Sequence, residues 1–100
     1  MIVVSHSSPL ITLTRARHLE LLREFYGQVL IPREVHEEVT VAGAGFPGAD
    51  EVRRASWIEV RTAEVPAPVV ESACAGLGAG ERSAIYLASG LTAALVLIGG

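Results

Sequence analysis

Four short and predominantly apolar runs constrain the fold of this chain more than any other feature of its sequence. They are Ile2–Val4, Val29–Ile31, Trp57–Val60 and Ala94–Ile98. A strand without polar alternation must be covered on both faces, which is typical of the parallel sheets of α/β proteins. Parallel strands also need long crossover connections, which are usually helical and right-handed. The sequence therefore predicts a three-layer α/β fold, with a central parallel sheet of about four strands flanked by helices.

The segments between these runs favour pairs of helices, which gives the order β-α-α-β-α-α-β-α-α-β. The clearest helix spans about Arg17–Tyr26, has Leu19, Leu22 and Tyr26 on one face, and ends at Gly27. The glycine-rich segment Gly43–Gly48 is expected to be a loop. Further helices are expected at residues 9–13, 33–41, 49–55, 69–75 and 81–89.

Composition excludes several classes of protein and site. One hundred residues, half of them hydrophobic, make a single domain of residues 1–100 and exclude a disordered chain. The chain has no lysine, which excludes a Walker A loop and a Schiff-base lysine, and Asp50 is its only aspartate. The net charge of −3 supplies no general basic field, so any contact with RNA or DNA must be local.

Three features predict a cytoplasmic protein without a membrane span. The longest apolar run, Leu91–Ile98, is far shorter than the roughly 20 residues that cross a bilayer, and Met1–Val4 does not begin a secretory leader. A single cysteine, Cys74, forms no internal disulfide, which favours a reducing compartment and a small core residue.

Candidate functional residues follow from where ligands bind in parallel sheets, beyond the carboxyl ends of the strands. His6 follows the first strand, although a loop histidine satisfied by solvent or by a carbonyl is the alternative. Glu37 and Glu38 point about 100° apart on a helix, so only one can face a common cleft. Glu38, beside the inward Val39, is the better candidate. Glu81 begins a predicted helix, where the macrodipole alone would account for an acid.

An ordered set of segments resembles the PIN-domain superfamily, and within it the small prokaryotic VapC-like proteins. The resemblance covers nearly the whole chain, and its specificity lies in the order of the segments. The segments are Val4–Ile11, His18–Leu22, Tyr26–Pro32, Val35–Val39, Ala55–Ile58, Leu77–Ala88 and Leu95–Ile98.

The resemblance implies a metal-dependent endoribonuclease, commonly the toxin of a toxin–antitoxin pair. The family holds Mg²⁺ or Mn²⁺ with acids at the strand ends, and the ion activates water and neutralises phosphate charge. Glu38 and Glu81 match two of the family's acids and are the implied catalytic residues and metal ligands. His6 stands where the family has its first aspartate and is a third candidate metal ligand, and the last acidic position falls at Gly99–Gly100.

These departures predict that nuclease activity is lost or weak, because two of the four acids are replaced. Imidazole is also a softer ligand than carboxylate and favours Mn²⁺ or Zn²⁺ over Mg²⁺. The chain ends before the family's usual C-terminal section, which would leave an apolar edge strand and predicts a homodimer. RNA and an antitoxin protein are the other expected partners. The alternatives are a non-catalytic oligomerising or protein-binding module, and a decaying gene product.

Overall fold

A computed structural model of the chain describes residues 2–42, 48–64, 66–91 and 95–97. The strands are β1 (Val3–Ser5), β2 (Val29–Pro32), β3 (Ile58–Arg61) and β4 (Leu95–Leu97). The helices are α1 (Ser7–Arg15), α2 (Glu20–Tyr26), α3 (Arg33–Glu37), α4 (Ala49–Arg54), α5 (Pro68–Ala73) and α6 (Ala79–Leu91). A π-helical turn, Glu38–Ala42, continues from α3.

The four strands form one parallel sheet in the order β3-β2-β1-β4. Val4 of β1 aligns with Leu30 on one side and with Val96 on the other. The predicted fold class is confirmed, and the first strand lies inside the sheet with the fourth beside it. Because all strands run the same way, their carboxyl ends share one edge of the sheet and their amino ends the other.

Two core clusters lie on opposite faces of this sheet. Val29 and Ile31 belong to the cluster formed with α1, α2 and α3, whereas Leu30 between them packs against Ala84 and Leu87 of α6. Successive strand residues point to opposite faces, so the run Val29–Ile31 is buried throughout only because both faces are covered. Cys74 is also buried, as predicted.

The predicted start of the second helix at Arg17 is wrong. Arg17 has a left-handed backbone, with φ of 61°, and its N–H donates to the Thr14 carbonyl at 3.0 Å. The N–H of His18 donates to the Leu13 carbonyl at 2.7 Å, so these two bonds close the end of α1. The following helix therefore begins only at Glu20, whereas its predicted end before Gly27 is correct.

The predicted helix 33–41 is regular only as far as Glu37. The Thr40 hydroxyl donates to the His36 carbonyl at 2.6 Å, a type of bond that often bends a helix. The Arg53 guanidinium donates to the Thr40 carbonyl. Both side-chain bonds lie in the wider turn Glu38–Ala42. Most of the predicted loop Gly43–Gly48 lies outside the described residues.

Helix α6 begins at Ala79, two residues before the predicted start at Glu81. Gly80 therefore lies inside the first turn of α6. No helix of the described part of the chain combines the length and the apolar character needed to cross a bilayer.

Leu10→Ala should lower the free energy of unfolding by about 2–5 kcal/mol, because Leu10 is fully buried in the first cluster and truncation leaves a cavity. Phe25→Ala is the control, since Phe25 is 73% exposed and its loss should change stability by less than about 0.5 kcal/mol. Urea denaturation followed by circular dichroism measures both. Equal losses in the two variants would contradict this core assignment.

Candidate functional site at the carboxyl edge of the sheet

The segment that leaves β1 carries His6 at the carboxyl edge of the sheet. Its side chain is only 8% exposed, and its Nδ1 is buried without a hydrogen-bond partner among the described residues. The backbone carbonyl of His6 accepts from the Ser5 hydroxyl at 2.9 Å. A buried and unpaired imidazole nitrogen costs about 1–3 kcal/mol, so such a group in a folded protein calls for an explanation.

The π-helical turn brings Glu38 to the same place. The Ser7 hydroxyl, one residue beyond His6, donates to Glu38 Oε2 at 3.2 Å. Glu37 instead accepts from Arg33 Nε at 3.1 Å on an exposed face of α3. Of the two adjacent glutamates, Glu38 is therefore the one that lies at the end of β1. Its side chain is still exposed, so solvent reaches this position.

Gly80 of α6 completes the arrangement. A Cβ atom added at Gly80 would collide with Glu38 Oε1 and lie 2.8 Å from His6 Cε1. Only glycine therefore allows α6 to approach the imidazole and the carboxylate so closely. Sequence reasoning missed both Ser7 and Gly80. Both could have been found from the sequence, because each is adjacent to a predicted site residue. Ser7 follows His6, and Gly80 precedes Glu81.

Glu81 lies beside Gly80 in the first turn of α6 and is half-buried. Among the residues that the structure describes, no three His, Cys, Asp or Glu side chains lie close enough together to hold a metal ion. The assignment of Glu38, Glu81 and His6 as ligands stays a prediction. The fourth expected position, Gly99–Gly100, lies outside the described residues.

The polar groups around Glu38 and Gly80 do not supply the all-oxygen ligand set that Mg²⁺ prefers. They are the carboxylate of Glu38, the imidazole of His6 and the hydroxyl of Ser7. A nitrogen ligand beside a single carboxylate suits one weakly bound Mn²⁺ ion better than Mg²⁺. The Nδ1 atom of His6, which has no hydrogen-bond partner among the described residues, is the candidate ligand atom for such an ion.

Gly80→Ala should destabilise the protein by about 1–3 kcal/mol, because the new methyl group must displace Glu38 and His6 or push α6 outward. Gly90→Ala in the same helix meets nothing within 4 Å and should raise stability by about 0.5–1 kcal/mol through helix propensity. Thermal and urea unfolding compare the two. If both variants are stabilised alike, His6 and Glu38 do not lie against this helix.

Comparison with known proteins is consistent with this geometry. The family model DUF3368, described as a PIN domain, matches residues 2–99. No curated protein and no solved structure matches the chain. The match spans the whole parallel sheet together with His6, Glu38 and Glu81. The chain belongs to the PIN-domain family DUF3368.

Proposed function

We propose that this PIN domain is a metal-dependent endoribonuclease of the toxin type whose activity is weak, because its acidic site is depleted. The observation that carries the proposal is the meeting of His6 and Glu38 at Gly80, where one imidazole and one carboxylate converge at the carboxyl edge of the sheet. That edge is where parallel α/β folds bind their ligands. The match to a PIN-domain family supports a nuclease-like module.

In this proposal Glu38 and His6 hold a single Mn²⁺ ion and Glu81 approaches from α6. A bound ion would polarise a phosphodiester and lower the pKa of a coordinated water. The Ser7 hydroxyl orients Glu38 through its hydrogen bond, and Gly80 leaves room for both ligands. Two carboxylates hold a divalent ion less tightly than four acids do, so less positive charge is available to stabilise the charge that develops on the phosphate.

The resemblance to VapC-like toxins supports three further parts of the proposal. The chain would act in a prokaryotic cytoplasm, and an antitoxin protein would be its partner. An RNA strand would be its substrate.

The test compares the natural chain with the double variant His6→Asp, Gly99→Asp, which restores acids at the two replaced positions. The natural chain should bind Mn²⁺ weakly and cleave a labelled RNA poorly, and the double variant should bind and cleave at least about tenfold better. Calorimetric titration measures metal binding without relying on activity.

Glu38→Gln should abolish what binding the natural chain has, and Glu37→Gln is the matched control because Glu37 pairs with Arg33 on the exposed face. Strong Mg²⁺-dependent cleavage by the natural chain, lost in Glu38→Gln or Glu81→Gln, would show that the site is not depleted. Absence of metal binding in both the natural chain and the double variant would overturn the metal site altogether.

One observation favours a second function, that of a non-catalytic oligomerising or protein-binding module. Strand β4 lies at the edge of the described sheet and pairs there only with β1. A strand edge with free N–H and C=O groups is a template for pairing with another chain, and a twofold dimer is the commonest closed solution. A homodimer joined along β4 would satisfy these groups.

Light scattering over a tenfold concentration range tests this second function. We expect a dimer mass at the higher concentrations, since pairing buries the exposed edge. A monomer mass throughout the range, with a folded circular dichroism spectrum, would exclude it.

A further inference from the structure

A groove with a volume of about 960 Å³ lies at the other edge of the sheet, away from His6 and Glu38. It is formed by the end of α1, the start of α2, the end of α4 and the segment that enters β3. The carbonyl of Trp57, which lines it, accepts from the Val29 N–H at 3.0 Å where β2 begins. The groove therefore belongs to the amino ends of the strands.

This groove concentrates positive charge in an acidic protein. Half of the chain's eight cationic side chains line it, against two carboxylates, so two formal positive charges remain where the whole chain carries −3. The lining charges are Arg15, Arg17, Arg23 and Arg54, with Glu20 and Glu51. Arginine pairs with phosphate through a planar fork of donors, and a local cluster attracts a polyanion that the rest of the surface repels.

Arg17 is placed there at a cost to the fold. It occupies the left-handed position that ends α1, which glycine adopts without strain and which a side chain with a Cβ disfavours. It forms no ion pair among the described residues. The fold would accept glycine at this position, so the guanidinium serves something other than the stability of the helix end.

Trp57 adds a second kind of contact. It is the only tryptophan of the chain, is half-buried, and packs against the first core cluster while lining the groove. An aromatic ring in a groove lined by arginines is a combination on which unpaired bases stack while their phosphates are neutralised. An acidic peptide would satisfy the arginines but would leave the ring without a planar partner.

We propose that this groove binds single-stranded nucleic acid, with backbone phosphates on Arg17, Arg23 and Arg54 and a base stacked on Trp57. The inference stands apart from the proposed function, because it holds whether or not the carboxyl edge binds metal or cleaves RNA. The net charge of −3 does not oppose such binding, since the contact is local.

Trp57 fluorescence provides a direct assay, because no other tryptophan contributes. Oligonucleotides of about 12 nucleotides, as RNA and as DNA of the same sequence, are titrated into the full chain in EDTA at several salt concentrations. Binding should quench the emission, and affinity should fall as salt rises. EDTA removes divalent metal, so this result is independent of the site around Glu38.

Arg17→Gly separates binding from stability. We expect it to weaken binding about five- to tenfold and to reduce the slope of log K against log salt by about 0.7, the value for one phosphate contact on a single strand. Its melting temperature should be equal or higher, because glycine relieves the left-handed strain. Arg61 is an exposed arginine at the carboxyl edge of the sheet, far from the groove. The control variant Arg61→Gln removes the same charge and should leave affinity within about twofold.

Trp57→Phe keeps an aromatic ring in the core and should retain binding when this is followed by anisotropy of a labelled oligonucleotide. Equal affinity of the natural chain and Arg17→Gly would overturn the proposal, as would binding without any quenching of Trp57. Tighter binding of a poly-glutamate peptide than of either oligonucleotide would assign the groove to an acidic protein instead. If the chain cleaves RNA in the presence of metal but binds no oligonucleotide in EDTA, the groove proposal is refuted and the proposed function stands.

Discussion

The central position of β1 is the constraint on which the rest of this structure depends. Val3, Val4 and Ser5 are fully buried, with β2 paired on one side and β4 on the other. The strand is covered on both faces, so its backbone cannot shift without losing two ladders and the contacts of Val4 in the second core cluster. The residues that leave β1 are therefore held in a defined place, and this is where His6 and Ser7 meet the π-helical turn and α6.

The local rules of protein structure are broken mainly at the two edges where we propose function. At the carboxyl edge an imidazole nitrogen is buried with no partner in the described part of the chain, and a glycine lies inside a helix. At the amino edge Arg17 holds a backbone conformation that suits glycine. Natural proteins tend to depart from local preference where function requires it, and the stable core offsets the cost.

The two edges also differ in charge. Glu38 and Glu81 lie at the carboxyl edge, whereas arginines dominate the groove at the amino edge. A domain of net charge −3 can therefore still attract a polyanion at one place. The weakness that we propose for the carboxyl edge follows from its donor atoms, since a carboxylate and an imidazole hold a divalent ion less tightly than an acidic cluster does.

The sequence by itself determined the parallel sheet and the choice of Glu38 over Glu37. Runs such as Val29–Ile31 are apolar on both faces, and helical periodicity separates adjacent residues by about 100°. Only the tertiary structure decided that Arg17 ends a helix, that α6 begins at Ala79, and that Gly80 lies against Glu38 and His6. The end of α1 depends on local backbone bonds to Leu13 and Thr14. The position of Gly80 depends on contacts between segments that are distant in sequence. Neither periodicity nor composition carries information about such contacts, because they arise only when the helices dock on the sheet.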